Sequence, residues 1–184
     1  MRISKMLAVC GIAVLMSGCV VSLHPLFTDE NLVFEEGLVG TWFSEDGDVK
    51  WRFQKAEDKV YGLTVAENEA PGKFEARLVR LGKFLFLDLY PKEPDIDNDF
   101  YKLHLLPAHG IMRVWLEGDL LRVAMIDYDW LNERIKEKKA DIAHEILDGR
   151  IVLTASTEDL QEFYLKYAED NKAFSDPGEL HRQK

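Results

Sequence analysis

From Leu38 to Asp127 apolar and polar positions alternate, and turn residues interrupt the alternation every 8 to 12 positions. A period of two predicts half-buried strands. In "VKWRFQ", Val49, Trp51 and Phe53 share one face while Lys50, Arg52 and Gln54 share the other. "KVYGLTV" repeats the pattern with Tyr61, Leu63 and Val65, "KFEARLVRL" with Phe74, Ala76 and Leu78, and "YKLHLL" with Tyr101, Leu103 and Leu105. Asp46-Gly47, Glu57-Asp58, Pro71-Gly72, Gly82-Lys83, His109-Gly110 and Gly118-Asp119 are the hairpin signals between them. The pattern predicts eight strands, at 39–44, 49–54, 60–66, 74–81, 84–90, 101–106, 111–117 and 120–126. Short connections make them antiparallel neighbours. The expected fold is therefore mainly β: an eight-stranded antiparallel up-and-down barrel, whose closure removes exposed edges, followed by C-terminal helices. The strand "FLFLDLY" is apolar on both faces, so something should cover its outer side.

Beyond Asp127 the period changes. "DYDWLNERIKEKKADIAHEIL" reads as helix, with Trp130, Leu131 and Ile135 at helical spacing, and 151–154 as a further short strand. "STEDLQEFYLKYAED" is amphipathic, with Ser156 or Thr157 as N-cap and Leu160, Phe163, Tyr164 and Tyr167 as its apolar stripe. Residues 128–176 are expected to pack on a barrel domain of residues 38–127. Asp176-Pro177-Gly178 should end the ordered region, with 177–184 frayed.

The N-terminus has a different logic. Arg2 and Lys5 precede an apolar run from Met6 to Met16, then Ser17, Gly18 and Cys19, the three-part layout of a secretory signal peptide over residues 1–18. The run is too short to span a bilayer comfortably. Its "MSGC" ending resembles the bacterial lipobox, with Met16 where Leu is usual. That resemblance implies cleavage before Cys19, which then becomes diacylated and N-acylated (palmitate). Cys10 would leave with the leader, so Cys19 is the one thiol of the mature chain and no intrachain disulfide can form. Val20 rather than Asp follows it, which by the resemblance favours the outer membrane, with the domain facing the periplasm. Residues 19–37 are too apolar for a solvated spacer, so this tether should lie against the domain or the lipid.

Charge narrows the partners. The whole chain carries −10; without Arg2 and Lys5 it has 21 basic against 33 acidic residues, net −12. This balance argues against nucleic acid and against an electrostatic grip on anionic lipid. Any membrane attachment must therefore come from something apolar, and the N-terminal lipid anchor is the expected source.

Gly40-Thr41-Trp42 at the first predicted strand resembles the G-x-W signature of lipocalins, whose Trp plugs the closed end of the barrel. The lipocalin T-D-x-Y has no counterpart at the matching place, so the likeness is carried as lipocalin-like (calycin) over about residues 34 to 154. Cys19, Ser22, Leu23, His24, Pro25 and Leu26 also resemble bacterial lipoproteins that begin C-x-x-S-L-H-P-L, a likeness that implies no activity.

No motif supports catalysis or a cofactor. G-x-S-x-G, C-x-x-C and a phosphate-cradling glycine loop are all missing from the sequence. Asp95, Asp97 and Asp99 read as a solvated acidic turn, because Phe100 and Leu106 stand where a calcium loop needs Gly and Glu. His24, His104 and His109 lack a second metal ligand at suitable spacing. Trp51, Phe53, Tyr61, Phe84, Phe86 and Trp115 are the candidate inward residues of the barrel. Asp88 shares the face of Phe84 and Phe86, so it must be paired or solvated. Pro91 soon after it suggests a barrel-end position open to water; the other option is a polar handle in a ligand cavity. The leading expectation is a lipid-anchored, non-enzymatic envelope protein holding a small apolar ligand in its barrel. The alternative is a structural or interaction lipoprotein with a solid barrel, which binds another envelope protein.

Overall fold

The computed structural model describes residues 20–183, so the leader and Cys19, with the readings placed on them, lie outside the described residues. The strands are β1 (Val20–Ser22), β2 (Leu32–Val33), β3 (Gly40–Phe43), β4 (Val49–Glu57), β5 (Val60–Glu67), β6 (Ala70–Leu81), β7 (Phe84–Pro91), β8 (Gly110–Glu117), β9 (Leu120–Met125), β10 (His144–Leu147), β11 (Arg150–Leu153) and β12 (Gly178–Arg182). The helices are α1 (Asp99–Lys102), α2 (Tyr128–Lys136) and α3 (Thr157–Tyr167).

Eight antiparallel strands close into a barrel in the order β6-β5-β4-β3-β12-β9-β8-β7, with β7 returning to β6. The alternation works as expected along its walls: Trp51 and Phe53 on β4 and Leu63 on β5 are buried, while Lys50, Arg52 and Gln54 are not. On β7 the two apolar faces have different jobs. Leu87 and Leu89 face the barrel core, while Phe86 joins a second core on the outside with Leu160, Phe163 and Tyr164 of α3. Ser156 caps α3, its hydroxyl accepting from the Asp159 N–H at 3.2 Å. Asp127 caps α2 in the same way through the Trp130 N–H.

The membership of the barrel differs from the sequence expectation. Residues 101–106, read as a strand, are instead α1 and an irregular loop. Asn98 Oδ1 accepts from the Tyr101 N–H at 2.9 Å and starts a helical turn, and Tyr101, Leu103 and Leu105 are left exposed. The eighth strand is β12, in the segment expected to fray. Leu180 is 2% exposed between exposed Glu179 and His181, and the strand pairs with both β3 and β9. The six-residue alternation at 101–106 has no partner edge, whereas "GELHR" fills the gap between the first and last strands. Pro71-Gly72 is also not a turn. Asn68 and Glu69, both at positive φ, form the two-residue loop, and Pro71 pairs with Ala66 near the strand end. The long helix expected after Asp127 stops at Lys136, and its later residues form β10.

The tether is part of the domain. β1 runs parallel to β11, which pairs with β10 to make a separate three-stranded sheet, and Leu26, Leu32 and Leu38 are buried. On β3, Trp42 is fully buried and its indole N–H donates to the Leu38 carbonyl at 3.0 Å. Arg182 lies over the Trp42 ring at 4.2 Å and donates to the Val39 carbonyl at 2.7 Å. Gly40 is required here: at φ 141°, an added Cβ would meet the Arg182 guanidinium at 2.6 Å.

Candidate functional site

The barrel interior is filled by side chains. Trp42, Tyr61, Leu87 and Leu121 are 0% exposed, and Phe53 and Leu63 are 1% exposed. Phe53 meets the Tyr61 ring edge-on at 6.1 Å and Trp51 at 6.0 Å. Tyr61 also reaches out of the core: its hydroxyl accepts from the Glu35 N–H at 2.7 Å and donates to the Glu35 carbonyl at 3.2 Å. Burial pushes the Tyr61 phenol up to about 12, so it stays a neutral donor. Phe34 stacks on it at 4.6 Å. Tyr61 thus ties the segment before the first barrel strand to the barrel wall.

Trp51, Phe53 and Tyr61 therefore stand where the sequence placed them. Phe84, Phe86, Asp88 and Trp115 do not: they point to the outside of the wall, into or beside the second core. On an apolar-both-sides strand, period two cannot say which face is inward, and the inner set here is aliphatic: Leu85, Leu87 and Leu89. Trp115 and Phe84 sandwich the Arg113 guanidinium, at 4.4 and 5.0 Å from their ring centres. Burial against these rings lowers the Arg113 pKa, opposed by the charge of Glu169. They border a shallow groove of about 210 Å³.

Asp88 is neither at an open barrel end nor inside a ligand cavity. It is 2% exposed beneath the tether. One carboxylate oxygen accepts from the Leu26 N–H at 2.7 Å, and the other is 2.6 Å from Nδ1 of His109, itself 8% exposed. A buried acid needs such partners, and here they come from the tether and from the residue before β8. Ser22 and His109 exchange backbone hydrogen bonds, at 2.9 and 2.7 Å. On the other side, the tether carbonyls of Pro25 and Leu26 accept from Thr157 and Gln161 of α3 at 2.9 and 2.8 Å. Asp88 also raises the Tyr164 phenol further, after burial has already pushed it above the usual tyrosine range.

Above this clamp lies an open cleft of about 480 Å³, lined by Leu23, Pro25, Phe27, Glu75, Arg77, Tyr90, Leu106, Pro107 and His109. Tyr90 lies against the His109 ring at 4.7 Å, and Arg77 over the Phe27 ring at 4.5 Å. The loop beside it exposes Phe100, Leu103 and Leu106, at 74%, 81% and 77%.

Ser22, His109 and Asp88 stand close together, but they do not form a nucleophile–base relay. The Ser22 hydroxyl donates to the His24 carbonyl at 2.7 Å, and the residue is 1% exposed. The arrangement holds the tether. Among the described residues, no cluster of His, Cys, Asp and Glu is placed to hold a metal ion.

In the sequence Asp88 had to be paired or solvated, and a solvated barrel end was the expectation; the pairing with Leu26 and His109 was not foreseen. The signal for His109 was its place just before a strand, which is too common to act on. Comparison with protein-family models, curated proteins and solved structures finds no match for the chain.

Proposed function

We propose that the protein is a lipid-anchored bacterial envelope protein, attached through Cys19, whose barrel is a solid scaffold and whose contacts with other molecules are made from outside. The observation that carries this reading is the filled interior: the aromatic and aliphatic core occupies the space a carried ligand would need. The larger cleft is external, between the tether and the β7–β8 connection, and the apolar loop beside it offers contact area. The protein performs no catalytic step in this reading, and its partner is another envelope protein. The apolar sequence before Cys19 and the residue after it support export and an outer-membrane place, facing the periplasm.

Native mass spectrometry of the acylated protein, extracted from membranes in mild detergent, tests the central point. The expected spectrum has the acylated chain with no stoichiometric small molecule. A co-purifying apolar ligand displaced by Leu63→Trp, which adds volume to the interior, would return the barrel to the role of carrier.

A further inference from the structure

We propose that the tip of the β10–β11 hairpin is a second membrane contact, seated in the bilayer interface beside the lipid anchor; this rests on the reading of Cys19 as the acylated residue. The argument starts from strand register. Val20 pairs with Ile151, and Ile151 pairs with Ile146 across the hairpin. Leu147 pairs with Arg150 one step further out, and Asp148 and Gly149, both at positive φ, make the turn. The N-terminal end of β1 and the hairpin turn therefore lie at the same end of the three-stranded sheet. In sequence, Cys19 immediately precedes Val20. The chain that would carry the acyl groups enters the fold at the hairpin tip.

That tip is apolar where it should be polar. Ile146 and Leu147 are 51% and 59% exposed on the edge strand of the sheet. Consecutive strand residues point to opposite faces, so the strand end is apolar on both sides. A protein partner packing on one face would leave the other in water, whereas a surrounding apolar medium covers both. The turn extends about two residues beyond the level of Val20, or about 7 Å, within the range of interfacial burial. Glu145, Asp148 and Arg150 are exposed beside the two apolar residues, a mixed set suited to headgroup depth. With one base against two acids, insertion is driven by apolar burial rather than by anionic lipid.

The test uses the full chain, expressed, processed and acylated in bacteria, then reconstituted in phosphatidylcholine vesicles. A nitrobenzoxadiazole label is placed at Asp148→Cys or, as a control, at Leu103→Cys, which lies in the exposed loop before His109. Ser22 bridges His109 at the opposite end of β1 from Val20, so the two labels report on different ends of this strand. The expected result is a blue-shifted emission at 148, lost to a nitroxide quencher carried on the lipid, and a water-like emission at 103. Ile146→Ser with Leu147→Ser should abolish the shift at 148 while the protein still sediments with the vesicles. A water-like label at 148 in protein that sediments through Cys19 overturns the proposal and leaves the anchor standing. If Cys19→Ser protein freed of residues 1–18 sediments equally well, or the wild type stays in solution, the anchor reading fails and the proposal falls with it. A label at 148 that is dry in vesicle-free Cys19→Ser protein of doubled mass overturns it in favour of a second copy.

Discussion

Asp88 holds the tether to the barrel with one side chain. Its two oxygens engage a backbone N–H from the tether and an imidazole from the β7–β8 connection, all removed from water. Truncation to Ala leaves both partners buried without an acceptor, a loss of about 3 kcal/mol. Urea unfolding of Asp88→Ala should show that loss as a lower midpoint with an unchanged slope, and an unaltered midpoint would show that the clamp is not what secures the tether. His109→Gln, which keeps a donor, should lose less. At this scale the sequence was half legible. An acid among Phe84, Phe86 and Tyr90 had to be satisfied, and that much followed from solvation alone. Its partners lie 62 and 21 positions away, and nothing local ties Leu26 or His109 to it. The aromatic residues were misassigned for a related reason: hydrophobicity says that Phe86 and Trp115 are covered, not which of two cores covers them.

Elements follow the same division between local and distant information. Consecutive hairpins were legible because alternation and short connections agree along β4 to β7 and β8 to β9, even where, as at Pro71-Gly72, the turn residues fall inside a strand. The closing strand was not, because β12 is separated from its β9 partners by more than fifty positions of helices and a second small sheet. "YKLHLL" alternates better than "GELHR", yet only the latter reaches the open edge. Topology decides between them, and alternation does not. A chain ending at Pro177 should therefore lose more than a frayed tail. It uncovers the edges of β3 and β9, removes Leu180 from the core and releases Arg182 from Trp42. The expected outcome is loss of cooperative unfolding and aggregation on heating. Leu180→Ala, in the intact chain, should cost about 3 kcal/mol. A truncated protein that unfolds cooperatively at the wild-type midpoint would show that the barrel closes without β12.

For the whole molecule, the tether and the domain are one body, and this changes what cleavage can do. A flexible spacer behind a lipid anchor is the one covalent link, so a single cut frees the domain. Here the segment from Val20 to Leu26 is held by β11, by the Ser22–His109 bridge, by Asp88 and by α3. Glu30 lies beyond these contacts in an exposed turn. A nick at Glu30 would leave residues 20–29 bound by burial of Val20 and Leu26 and by backbone pairing in an otherwise intact fold. Each of those two side chains contributes about 2 kcal/mol when fully buried, and the paired backbone adds to this. The acylated, vesicle-bound protein, cut at Glu30 by a glutamyl endopeptidase, should thus stay with the vesicles through a salt wash. Urea should release the C-terminal fragment in step with loss of tertiary structure. Asp88→Ala should lower the urea needed, because it removes one of the non-covalent holds. A domain that leaves the vesicles on cutting, without denaturant, would mean that the tether is a leash after all, and that the barrel's distance from the membrane is not set by the fold.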